Sequence, residues 1–265
     1  MNRLRSRIFR SILLPACAVL AMAALLAAGC SRGSRPVATP RLADGAPLRV
    51  LVFTRTSGWR HDSIPDAIAA LRAIAGELGM EVVATEDATA FSPASLAGYD
   101  AVVFASTTRD VLDDAQQRAF EAYMRDGGGY MGIHAAADTE YDWPWYGDLV
   151  GAWFANHPEG LQATQVRFEQ PGVLDEGESW PATDEIYNYR RNPRGRVRVI
   201  ATVDETTYDG GTMGDDHPIA WCHRPGRGRA WYTGLGHTRA MYADPRFRRH
   251  LARGLRFASG VDAAC

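Results

Sequence analysis

GGGYMGIHAAADTEYDWPWYGDLVGAWFANHP, residues 127–158, is the stretch whose reading decides the fold. Gly127, Gly128 and Gly129 end the helix expected before them, residues 130–133 read as a short buried strand, and His134 stands at its carboxyl end before a run of small alanines. A strand that stops at such a turn suits the strand-to-helix elbow of an open α/β sheet, whose carboxyl edge is where ligands bind. His134 is therefore the first candidate for a functional group. The plain alternative is a core histidine donating to a carbonyl.

Upstream of this stretch, LRVLVFT at 48–54 reads as a buried strand, and residues 62–78 carry Ile64, Ile68, Leu71, Ile74 and Leu78 at helical spacing, which together make a βα unit. Residues 80–85 and 99–105 are two further strands. Residues 113–125 are a helix that gathers Ala115, Ala119, Phe120 and Tyr123 on one face. Strands alternating with helices imply a parallel sheet covered on both faces. Downstream the pattern loosens: residues 145–154 read as helical, and 163–168 and 197–203 as strands. Residues 217–222 and 229–233 flank the turn-forming HRPGRG and read as an antiparallel hairpin. A helix over 245–258, with Phe247, Leu251, Leu255 and Ala258 on one side, closes the domain. There is no internal repeat and no second core.

The 265 residues are 46% hydrophobic and 23% charged, a globular composition with chain enough for one sizeable core. Residues 1–29 form a separate object. Arg3, Arg5, Arg7 and Arg10 precede an uncharged apolar run over 12–28 that ends Leu26-Ala27-Ala28-Gly29-Cys30, a secretory signal with a lipobox. The run is short for a spanning helix and ends in small residues at a cysteine, as bacterial lipoprotein signals do. Cleavage would make Cys30 a lipidated amino terminus followed by Ser31, and the resemblance to lipoproteins favours the periplasmic face of the outer membrane. Residues 30–47, rich in Pro, Gly, Ser and Arg, read as a flexible tether, with the folded domain at 48–260 and a tail at 261–265.

Losing residues 1–29 leaves 25 basic against 31 acidic residues, so the mature chain has no reason to seek nucleic acid. It has no lysine, which excludes Schiff-base chemistry and a lysine-bearing phosphate loop. Only Cys222 and Cys265 remain in the folded part. They could pair in an oxidising compartment, but one lies in a core strand and the other on a tail, so no bridge is expected.

The motifs RHDSI (60–64), GGGYMGIHAAAD (127–138), YDWPWYG (141–147), HP (157–158), DEIYNY (184–189), DDHPIAW (215–221) and GRAWYTGLGH (228–237) together resemble the ThuA-like, trehalose-utilisation family across roughly residues 48–260. The resemblance implies an α/β, flavodoxin-like and class I glutamine amidotransferase-like three-layer sandwich, with a mostly parallel sheet and the C-terminal hairpin. It further implies an association with catabolism of trehalose and related disaccharides, including 3-keto sugars. One departure matters: amidotransferases of that superfamily carry a cysteine at the elbow, where this chain has His134. Thiolate chemistry there is out, and with no G-x-S-x-G elbow a covalent acyl-enzyme is not expected.

Histidines and carboxylates remain, each where an expected element ends. His134, Asp138, Glu185, Asp216, His61 and His237 are the candidates for proton transfer on a sugar, which needs a donor and an acceptor near neutral pH. Trp59, Arg60, Trp143, Tyr187, His157 and His217 are the candidates for holding it, by stacking on apolar sugar faces or by hydrogen bonds. The plain alternatives are core packing for the aromatics, a helix cap for Asp62 or Ser63, and surface ion pairs for the arginines. No cofactor is expected. Imidazoles with carboxylates leave room for a divalent metal, but no compact spacing such as H-E-x-x-H supports one, so its ligands would come from distant segments. The expected partners are a small carbohydrate, the membrane through Cys30, and a sugar oxidoreductase in the same pathway. Three readings stay open: an enzyme on a disaccharide or 3-keto sugar working by hydrolysis, elimination or isomerisation, a lipid-anchored carbohydrate-binding protein without chemistry, and an envelope scaffold.

Overall fold

A computed structural model of the chain describes residues 46–169 and 179–265. The proposed signal and lipidated Cys30 lie outside the described residues, as does the tether up to residue 45. Strand β1 (Arg49–Phe53) leads through the loop bearing His61 into helix α1 (Ile64–Glu77), which buries Ile64, Leu71 and Ile74 as its spacing predicts. Strand β2 (Glu81–Thr85), the short helix α2 (Pro93–Leu96) and β3 (Ala101–Ala105) follow. Helix α3 (Asp114–Arg125) is opened by a capping box in which Asp113 accepts from the Ala115 and Gln116 amides. The glycine run then delivers β4 (Gly129–Ile133). Gly129 belongs to the strand, because a Cβ there would overlap the Ala258 carbonyl where the last helix crosses it.

Beyond the elbow come α4 (Pro144–Val150), β5 (Phe154–Asn156), β6 (Gln162–Phe168), β7 (Ser179–Asp184), β8 (Asn188–Tyr189), β9 (Arg198–Val203), β10 (His217–His223), β11 (Arg229–Thr233), α5 (Arg239–Ala243) and α6 (Pro245–Ala258). The nine-stranded sheet runs β2-β1-β3-β4-β11-β10-β9-β6-β7. Its first five strands pair in parallel, and the β10–β11 hairpin turns the rest antiparallel through β9, β6 and β7. The 2-1-3-4 start is the flavodoxin-like order, with its switch point between β1 and β3. Strands β1, β3 and β4 are buried almost throughout, as a sheet covered on both faces requires. Among the described residues, no helix is long and apolar enough to cross a membrane.

Three expectations are corrected. The helix read over 145–154 stops at Val150, where Gly151 adopts φ 94°, and the chain turns into β5, paired with β8. A Cβ at Gly151 would overlap the Trp221 indole, so the break is fixed by packing as well as by backbone freedom. Strand β7 was absent from the sequence reading. Cys222 and Cys265, expected to stay apart, form a disulfide with Cα atoms 6.4 Å apart, because the tail after α6 returns to β10.

Candidate functional site

The carboxyl ends of β1, β4 and β11, with the segment after β7, bring His61, His134, His237 and Glu185 together. His134 is the first residue after β4 and adopts φ 51°, the left-handed region that a branched backbone avoids. A strained elbow aims its ring out of the strand end, a use of strain typical of functional sites. The ring is fully buried, and Nδ1 lies 2.8 Å from the Gly234 carbonyl oxygen. A carbonyl only accepts, so Nδ1 donates to it and Nε2 is turned to the other side of the ring. The Tyr232 hydroxyl donates to the His134 carbonyl at 2.9 Å, fixing the elbow from the neighbouring strand.

Opposite Nε2 stand His237 Nδ1 at 3.2 Å and Glu185 Oε2 at 3.4 Å, and His237 Nδ1 lies 3.3 Å from the same carboxylate oxygen. The second oxygen, Oε1, faces His157 Nε2 at 3.4 Å. Burial alone would raise the Glu185 pKa, but hydrogen bonds from His134 and His237 outweigh it and hold the carboxyl well below its ordinary range. The bond to Glu185 in turn raises His237. His61 sits edge-on to both rings, with centroids 4.8 Å from His134 and 5.2 Å from His237. Burial first, and then the neighbouring His134 and His237 rings, lower its pKa to about 3. Donor atoms of His61, His134, Glu185 and His237 all lie within 4.8 Å of one another, a set able to hold a metal ion.

A buried carboxylate supports this arrangement from behind. Asp184 at the end of β7 is fully buried, and it accepts from the Gly236, His237 and Thr238 amides at 2.6, 3.3 and 3.1 Å. Thus β7, at the far edge of the sheet from β11, fixes the loop that carries His237. Ser63, weighed with Asp62 as a helix cap, stands at the N-cap position of α1 without a side-chain capping bond, and its hydroxyl donates to the Gly236 carbonyl at 3.2 Å, tying the start of α1 to that loop. Tyr187 stacks on His134 at 4.2 Å and on Phe154 at 4.3 Å.

Of the twelve candidates, His61, His134, His157, Glu185, Tyr187 and His237 converge. Asp138 ends the turn after His134 and accepts from Tyr141 at 2.6 Å, with Arg109 3.8 Å away. Trp59 is the most exposed large apolar side chain, 73% accessible, on the loop after β1. Its carbonyl accepts from Thr108 of the loop after β3. Four candidates stand elsewhere. His217 is buried against Glu205 and Tyr208, with Nε2 2.9 Å from the Tyr187 carbonyl, so it supports Tyr187 from behind. Asp216 points outward to Arg194 and Asn192. Arg60 pairs with Glu86 on the surface, and Trp143 packs in the core on Trp145 and Tyr146. Sequence reasoning missed Asp184 as the anchor of the His237 loop; its only signal was its place beside Glu185 in DEIYNY.

The model of a family described as trehalose utilisation, ThuA, matches residues 49–258. The chain belongs to that family, and membership supports a carbohydrate-related role. Among solved structures, the fold is similar to a ThuA-like protein from Bacteroides uniformis, at 21% identity and TM-score 0.69 over 85% of this chain and 94% of the other. It is also similar to a ThuA-like protein from Parabacteroides merdae, at 21% identity and TM-score 0.65 over 81% and 91% of the respective chains. No curated protein matches the sequence.

Proposed function

We propose that the chain transforms a small carbohydrate, a disaccharide or its 3-keto derivative, by acid/base hydrolysis, elimination or isomerisation at the His134–Glu185–His237 cluster. The observation that carries this reading is Glu185, a largely buried carboxylate whose two oxygens face two imidazoles on one side and a third on the other. Oε2 serves the interior pair, while Oε1 reaches His157, a half-exposed ring. A proton that Oε1 takes from a sugar could pass to His157 and from that half-exposed ring to water. Trp59 offers a face on which a pyranose could stack, and the Tyr141–Asp138 pair offers hydroxyl contacts. The signal and lipobox motifs at residues 1–30 motivate a site in the bacterial envelope, anchored through Cys30 and supplied by a sugar oxidoreductase. Mass spectrometry of the amino-terminal peptide from membranes, finding an unmodified Cys30, would refute the anchor.

The test is incubation of the protein with a panel of disaccharides and their 3-keto forms, with products read by mass spectrometry. The expected result is turnover that falls in His157→Gln. Sugar recovered unchanged beside clear binding would instead make the chain a carbohydrate-binding protein.

A further inference from the structure

We propose that His134, Glu185 and His237, with His61 beside them, hold a divalent transition-metal ion, with zinc the species that the spacing of the first three donors fits. The site is that of the proposed function, yet this inference does not depend on the substrate being a sugar.

The first argument is metric. Ligands about 2.0–2.1 Å from a tetrahedral zinc stand about 3.3–3.4 Å from each other. His134 Nε2, His237 Nδ1 and Glu185 Oε2 are separated by 3.2, 3.3 and 3.4 Å, three edges of such a tetrahedron. The two imidazole–carboxylate separations are longer than the about 2.7–2.9 Å usual for a charge-assisted pair.

The second argument is orientation. The Gly234 carbonyl accepts from Nδ1 of His134, which turns Nε2 toward the Glu185 carboxylate and His237. A histidine bound through one nitrogen while the other donates to a backbone carbonyl is the usual outer-shell arrangement of a metal ligand.

His61 supplies the third argument. It is 5% exposed, its Nδ1 is buried with no hydrogen-bond partner among the described residues, and its ring stands edge-on to both other imidazoles. Glu185 Oε1 stays outside the ion and toward His157, so the proton route to solvent survives occupancy. The ligands come from four segments, after β1, β4, β7 and β11.

The test uses the purified full chain, stripped with chelator and titrated with Zn2+ alone, then loaded with Co2+ for its visible spectrum. The expected result is one Zn2+ per chain, four-coordinate cobalt bands, and affinity at least about 100-fold lower in Glu185→Gln and His134→Gln, beyond the 10–100-fold cost of losing an outer-shell partner. His223→Gln, on the far end of β10, should bind as the parent does. Should either ligand variant misfold, the parent spectrum decides alone: the pale six-coordinate spectrum of aqueous cobalt overturns the site. Zn2+ binding equal in parent and folded ligand variants overturns it as well. A negative sugar assay leaves these readouts unchanged, so the two proposals fail separately.

Discussion

Replacing Asp184 probes how the fold holds His237, because its carboxylate accepts from the Gly236, His237 and Thr238 amides. Asp184→Ala leaves one buried and two part-buried donors facing the space the carboxylate filled. Each orphaned donor costs about 1–3 kcal/mol, and the His237 bond, at 3.3 Å, belongs at the low end. Removing the carboxylate also relieves its own burial, which pushes its pKa up, so a net loss of about 3–5 kcal/mol is expected. Asp184→Asn can set its oxygen at the Oδ2 position and keep Gly236 and His237, losing only the Thr238 bond. Its cost should be about half as large. Urea unfolding with an unchanged slope measures both losses, and amide exchange at residues 236–238 locates them. A loss under about 1 kcal/mol in Asp184→Ala together with protected amides would refute the reasoning, as would an Asn variant no better than Ala.

Three further outcomes are expected. The Cys222–Cys265 bridge closes a 43-residue separation, so Cys265→Ser should lower stability under oxidising conditions by about 4 kcal/mol and leave the reduced protein unchanged; equal melting of both forms would contradict it. His250 is buried beside Trp231 and Phe168, and burial lowers its pKa to about 3, so the folded state refuses the proton that the unfolded chain takes up at 6.5. Its contribution is complete above that pH and lost as pH falls from 6.5 toward 3, by about 1.4 kcal/mol per pH unit, and a difference in slope between parent and His250→Leu is the readout. Gly129→Ala should cost at least about 3 kcal/mol, since its Cβ meets the Ala258 backbone and not a movable side chain, and a near-native melting temperature would exclude that crossing.

The parallel half of the sheet was legible because its signals are local. Ile64, Leu71 and Ile74 repeat at helical spacing, and the three glycines fix where β4 starts and His134 ends it. Strand β7 escaped because Pro181 argues against a central strand; β7 lies at the sheet edge, where proline is tolerated, and its buried Trp180, Ala182 and Asp184 do alternate. Asp216 and His217 are neighbours in the DDHPIAW motif, and both are candidates there. The chain enters β10 there, and neighbouring residues face opposite ways, so His217 turns inward while Asp216 meets Arg194. The convergence of His61, His134, Glu185 and His237, like the return of Cys265 to Cys222, depends on contacts between distant segments that no local pattern records.

The account's central claim is that chemistry occurs at Glu185 and its imidazoles, and kcat/KM on the sugar that the panel shows to be turned over tests it most directly in three proteins. Parent and Asp216→Asn should agree, because Asp216 faces solvent beside Arg194, while Glu185→Gln should lose about 100-fold or more, the usual worth of a positioned proton-transfer group. A folded Glu185→Gln as active as the parent would contradict the claim.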